Sequence, residues 1–182
     1  LSSLSVMSHL LIAFIILITA IYVNQALINK AMDKNILWWK YLLSIPLSLT
    51  LVQSVIGVRL SSTWSAHLCL SMNQNCIVLN SHKLFAIPVF ISVISIILVS
   101  FLKFDLFKNN WKFLISAFLL LISQITLGVL SLKTNLNEPL IIISHQIVAS
   151  LMVATLSTLI FKNSSENIPI NSTKNNVILS FN

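Results

Sequence analysis

Apolar residues run in five long blocks along this chain, at about residues 9 to 28, 42 to 60, 84 to 102, 113 to 132 and 139 to 161, with short polar breaks between. A helix rises 1.5 Å per residue, so about 20 such residues cross the roughly 30 Å of hydrocarbon in a bilayer. The blocks point to helices, because a lone strand cannot satisfy its backbone in lipid and the alternation of a barrel is absent. The pattern therefore predicts an all-α fold, a polytopic transmembrane bundle of five spans. The first block is too long for a secretory signal, lacks a positive n-region and is followed by no small-residue cleavage site, so it is read as a true span.

Composition strengthens this reading. The chain is 57% hydrophobic and 8% charged, with a mean hydropathy of +0.94, more apolar than one soluble core can hide. Its net charge of +7 does not point to nucleic acid, because the cations sit in the breaks and report topology. Lys30, Lys34 and Lys40 lie between spans one and two, Lys103, Lys108 and Lys112 between three and four, and Lys162 and Lys174 in the tail. The other side holds only Arg59, Lys83 and Lys133. The lysine-rich side is thus expected to face the cytoplasm. Trp38, Trp39 and Tyr41 are expected as an aromatic belt at that face. Residues 162–182, rich in Asn and Ser and without an apolar face, are expected to be a disordered cytoplasmic tail.

An internal repeat adds the chemistry. Ser-His-x-x-x-Ala occurs at Ser8-His9 with Ala13, Ser81-His82 with Ala86, and Ser144-His145 with Ala149, each time opening an inward span. Gln-x-x-x-Gly-Val occurs as Gln53, Gly57, Val58 and as Gln124, Gly128, Val129, near the outer ends of outward spans, and holds the chain's two glycines. The unit is a hairpin, complete in two copies. Span one reads as the second half of a third unit, which together with the initial Leu1 suggests a longer protein truncated upstream.

His9, His82 and His145 are expected within about the first turn of their spans, in one layer near the outer face, and His67 in an outer loop. Single interfacial histidines need no ligand. Three in equivalent settings point instead to imidazoles on facing helices that ligate haem iron. Zinc suits the pattern less well, since there is no short-range ligand pair and no cysteine cluster or carboxylate nearby. Ala13, Ala86 and Ala149 would leave room for a macrocycle or a close helix. Gly57 and Gly128 fit either cofactor clearance or helix packing.

The stretch from Gln124 through Gly128-Val129 to Ser144-His145-Gln146 and Ala149 resembles the last two helices of the haem A synthase family. Gln53 to Arg59 followed by Ser81-His82-Lys83 and Ala86 resembles the preceding pair, and Ser8-His9 with Ala13 the start of the fourth helix of that eight-helix family. The likeness covers about residues 7 to 161. It implies two four-helix halves, each clasping haem between two histidines, and oxidation of the haem O methyl group to the formyl group of haem A for terminal oxidases. Residues 1–41 would then be the last helix of the N-terminal half plus an inner loop, and 42–161 the C-terminal haem-binding half. His82 and His145 would be axial ligands of haem b, with haem O as substrate, and His9 would belong to a second haem site. Catalytic residues are not identified, and the chain alone is expected to be incomplete as an enzyme.

The family usually carries His-Arg where this chain has His82-Lys83, which keeps the charge but loses bidentate geometry. Arg59 is a candidate propionate partner or a snorkelling cation. Glu138, before Pro139, reads as a residue favoured by the helix dipole and not as a catalytic acid. Cys69 and Cys76 share the long outer loop with Trp64 and His67. The family often has a cysteine pair there, which implies a disulfide on the oxidising side, with two free thiols as the alternative. Expected partners are membrane lipid, haem, haem O synthase and an electron donor, with homo-oligomerisation left open and nucleic acid excluded. The expected location is a bacterial inner membrane. The competing function is a non-catalytic bis-histidine cytochrome that carries electrons.

Overall fold

A computed structural model describes residues 3–28, 37–61 and 76–162. It contains helices α1 (Ser3–Ile28), α2 (Leu37–Ser61), α3 (Ile77–Leu102), α4 (Phe104–Lys133) and α5 (Pro139–Phe161). All five are long and apolar enough to cross a membrane, so the chain is a multi-pass membrane protein. The first four start several residues before their apolar blocks, because a backbone at the lipid interface keeps its hydrogen bonds by staying helical. Only α5 starts where its apolar block does, with Pro139 in the first turn, where the missing N–H costs nothing.

The break between the third and fourth spans is shorter than the sequence suggests. Residues 104–112, expected as loop, belong to α4, and Lys103 alone separates α3 from α4, its N–H directed to the carbonyls of Val99 and Ser100. At 30 residues α4 is about 45 Å long, more than the hydrocarbon requires. Its first turns, with Asp105, Lys108 and Lys112, therefore extend into the interface, and Asp105 stands where the helix dipole favours an anion.

α2 packs on α3, α3 on α4, α4 on α5 and α5 back on α2, which closes a ring of four. α1 stands outside the ring against α5 and α2. Among its described side chains only Phe14 is buried. The two ends of the ring differ. At the lysine end Trp39, Leu43, Val93, Ile96, Leu114, Leu156 and Leu159 interlock into one core. Toward the histidine end the helices leave a cavity instead.

Trp39 corrects part of the expected aromatic belt. Trp38 and Tyr41 are exposed, as anchors should be, but Trp39 is 1% exposed and packs in the core. Consecutive helical positions point about 100° apart, so one tryptophan of the pair turns inward. Polar side chains within the spans mostly satisfy themselves locally, as lipid demands. Thr50 Oγ1 donates to the Pro46 carbonyl, Ser100 Oγ to that of Ile96, and Asn110 Nδ2 to that of Leu106.

Candidate functional site

α2 and α3 form one half of the site. Gln53 and Gly57 are one turn apart on α2 and therefore share a face. On α3 they meet His82, which lies five residues after Ile77 and so in the second helical turn, not the first. Gln53 Nε2 donates to the His82 carbonyl oxygen at 2.8 Å and lies 3.2 Å from its Nδ1. A Cβ placed on Gly57 would stand 3.0 Å from His82 Cε1. The glycine leaves room for the imidazole of the neighbouring helix, a close helix contact.

α4 and α5 repeat the arrangement. Gln124 and Gly128 share a face of α4 and meet His145, six residues after Pro139. Gln124 Nε2 lies 3.1 Å from His145 Nε2, and a Cβ on Gly128 would stand 3.2 Å from His145 Cε1. The repeat found in the sequence is thus a repeat of one contact: a Gln-x-x-x-Gly face on an outward helix holds the histidine of the next inward helix.

The ring closes these two modules on each other. The His82 and His145 ring centroids are 6.5 Å apart, with ring planes at 65°. Two imidazoles that each give one nitrogen to the same metal, at about 2 Å, have centroids about 6 Å apart. The pair therefore has the span that two ligands of one metal ion would need. Around it lies a cavity of about 320 Å³, walled by both histidines, both glutamines, both glycines, Ala86 and Ala149, within the usual range for small-molecule sites. The two repeat alanines face this space, as their spacing from the histidines suggests. Oε1 of Gln53, Oε1 of Gln124 and Nδ1 of His145 are buried with no hydrogen-bond partner. The site thus combines apolar walls, two imidazoles and three buried polar atoms without hydrogen-bond partners.

Other predicted residues lie elsewhere. His9 occupies the matching depth on α1, six residues after Ser3, but is exposed and off the cavity wall. Its neighbour Leu10 reaches that wall instead. Arg59 is also exposed and off the wall, and Lys83 is the cation that lines it. Glu138 precedes α5 as expected, its carbonyl accepting from the N–H groups of Ile141 and Ile142. Cys76 caps α3, its Sγ accepting from Leu79 N at 3.4 Å, and no cysteine among the described residues is free. Cys69, Trp64 and His67 lie outside the described residues.

Leu136 was not singled out from sequence. It lines the cavity from the turn after α4, at φ 58° beside Asn135 at φ 52°. The N–H of Leu136 bonds to the Ser131 carbonyl and that of Asn135 to the Leu132 carbonyl, the two bonds of a Schellman cap. Asn135 at the left-handed position was the legible signal for this turn.

No family model, curated protein or solved structure matches the chain.

Proposed function

We propose that the outer cavity holds a haem b between His82 and His145, and that the chain supplies the C-terminal haem-binding half of a haem A synthase. The observation that carries this reading is the 6.5 Å approach of two repeat-equivalent histidines, each backed by its own glutamine and glycine. A structural histidine would need one such setting, not two that converge. When bound, the haem supplies redox chemistry at its iron. The residues of the chain would hold the macrocycle between the two histidines, exclude water with apolar walls, and offer Lys83 at the wall as a partner for a propionate. Arg59, at the same end of α2, is a second cation for the outer edge. Oxidation of the haem O methyl group would draw its substrate from a haem O synthase and its electrons from a separate donor. A Cys69–Cys76 disulfide would suit an oxidising outer side. The lysine distribution supports a bacterial inner membrane as the location, with the haem near the outer face.

The test is the visible spectrum of the detergent-purified chain, oxidised and reduced. Wild type is expected to show a sharp low-spin haem spectrum, and His82→Ala and His145→Ala each to lose it. Absence of bound haem in wild type would sink the reading. Extraction of haems from cells that also make haem O separates the two functions: formyl haem above background supports synthesis, whereas bound but unconverted haem supports electron transfer.

A further inference from the structure

Two ammonium groups share one patch at the lysine end, where α4 meets the end of α5. Asn109, Lys112 and Phe113 stand three and four residues apart on α4 and so share a side of that helix. Lys162, directly after α5, reaches across to this side: its Nζ donates to the Asn109 carbonyl and lies 5.3 Å from the centroid of the Phe113 ring. Lys112 Nζ lies 5.7 Å from the centroid of the Trp111 ring. Burial holds the Lys162 ammonium below the usual lysine range, and the charge of Lys112 pushes it the same way. A carbonyl and two aromatic rings fix these cations in place, but neither kind of partner cancels their charge.

Among the described residues the one acid at this end is Asp105. It lies seven residues before Lys112, about 10 Å along the helix, and stands a single turn from Lys108. Two like charges held together oppose each other, and a phosphate between them would offset both. The surface beside the pair suits the rest of a lipid. Trp111, Ile115, Phe118 and Ile122 are exposed and recur every three or four residues, so they form one apolar stripe that leads from the lysines toward the middle of the membrane.

We propose that Lys112 and Lys162 form a binding site for the phosphate of an anionic phospholipid, with Trp111 at the level of its glycerol and an acyl chain along Ile115, Phe118 and Ile122. The site lies at the opposite end of the molecule from the histidine pair and stands whether or not a haem binds there. A general attraction of basic residues to an anionic surface would make every lysine at this end count alike. A site makes two of them count.

The experiment is native mass spectrometry of the detergent-purified full chain, titrated with phosphatidylglycerol or with phosphatidylcholine of the same acyl chains, for wild type, Lys112→Gln, Lys162→Gln, Lys162→Arg and Lys103→Gln. Lys103 is exposed at the same end and sits over the Trp38 ring, so its replacement removes the same charge away from the pair. Thermal unfolding of the same samples checks folding and reads stabilisation by lipid. A basic residue near an anionic head group is worth about 5-fold in affinity, so wild type is expected to prefer phosphatidylglycerol roughly 25-fold and each Gln variant of the pair about 5-fold. Lys162→Arg and Lys103→Gln are expected to keep the wild-type preference. Lys112→Gln is also expected to raise the unfolding temperature without lipid, because it relieves the repulsion, and to lose most of the further rise that phosphatidylglycerol gives wild type. Equal binding of the two lipids by wild type overturns the site. A loss in Lys103→Gln as large as that in Lys112→Gln overturns it in favour of a diffuse basic surface. Inorganic phosphate that displaces the lipid at equal concentration assigns the lysine pair to the free anion and overturns the lipid.

Discussion

At Gly57 and Gly128 a single methyl group would set binding against stability. Alanine is about 1 kcal/mol better than glycine inside a helix, so either substitution favours the helix itself. The added Cβ, however, would stand 3.0 Å from the His82 ring and 3.2 Å from the His145 ring, closer than ordinary van der Waals contact. The imidazoles must then give way, and their placement is what the site depends on. Gly57→Ala and Gly128→Ala are expected to leave the thermal unfolding temperature equal or higher while weakening hemin binding about 10-fold, as when residues that orient metal ligands are disturbed. The larger loss is expected at Gly57, where the contact is tighter. Hemin titration and thermal unfolding on the same samples check both halves. Unchanged affinity in the two variants would show that the rings have room to spare.

The elements show what a linear reading can and cannot reach. Span number, span order and the two hairpin modules follow from apolar block length and from the spacing of Gln-x-x-x-Gly and Ser-His-x-x-x-Ala, since both are local properties of the chain. The contact between Gln53 and His82 is not local, and nothing in the sequence says that the glutamine meets the imidazole. The inward turn of Trp39 and the outward position of Arg59 depend on helix rotation, which a uniformly apolar span does not encode because every face looks alike to lipid. The helical start of α4 was hidden by its charges, which belong to an interfacial turn and not to a loop. Where local chemistry is decisive, prediction is sharper, as at the turn between α4 and α5. Asn135 holds φ 52° there, a region that β-branched residues rarely enter. Asn135→Val is expected to destabilise the protein by about 1 to 2 kcal/mol and to lower the unfolding temperature in detergent. Asn135→Gly is expected to be neutral or mildly stabilising. Equal behaviour of the two variants would mean that this cap is not under conformational strain.

Across the whole molecule, packing and charge are graded along the same axis. The lysine end is filled by the core around Trp39, Ile96, Leu114 and Leu156, and its rim carries cations seated on aromatic rings: Lys103 over Trp38, Lys112 over Trp111 and Lys162 over Phe113. Such contacts tie a charged head group to an amphipathic ring, which suits the membrane interface. Lys162 also donates to the Asn109 carbonyl, and burial holds its ammonium below the usual lysine range, with the charge of Lys112 adding to the effect. The histidine end is open, with Arg59, Lys83 and Lys133 as its cations among the described residues. If charge sets orientation, the packed end faces the cytoplasm and the cavity faces outward, so the proposed haem would enter and project its charged edge on the outer side. This is checked by replacing Lys133 and, separately, Lys108 with cysteine; both are exposed. An impermeant maleimide on intact spheroplasts is expected to label the Lys133→Cys protein at once and the Lys108→Cys protein only after the membrane is opened. The reverse pattern would turn the molecule over and put the histidine pair on the cytoplasmic side. The histidine pair would survive that result as a binding site, but the oxidising surroundings invoked for Cys69 and Cys76 would not, because a disulfide persists only on the outer side.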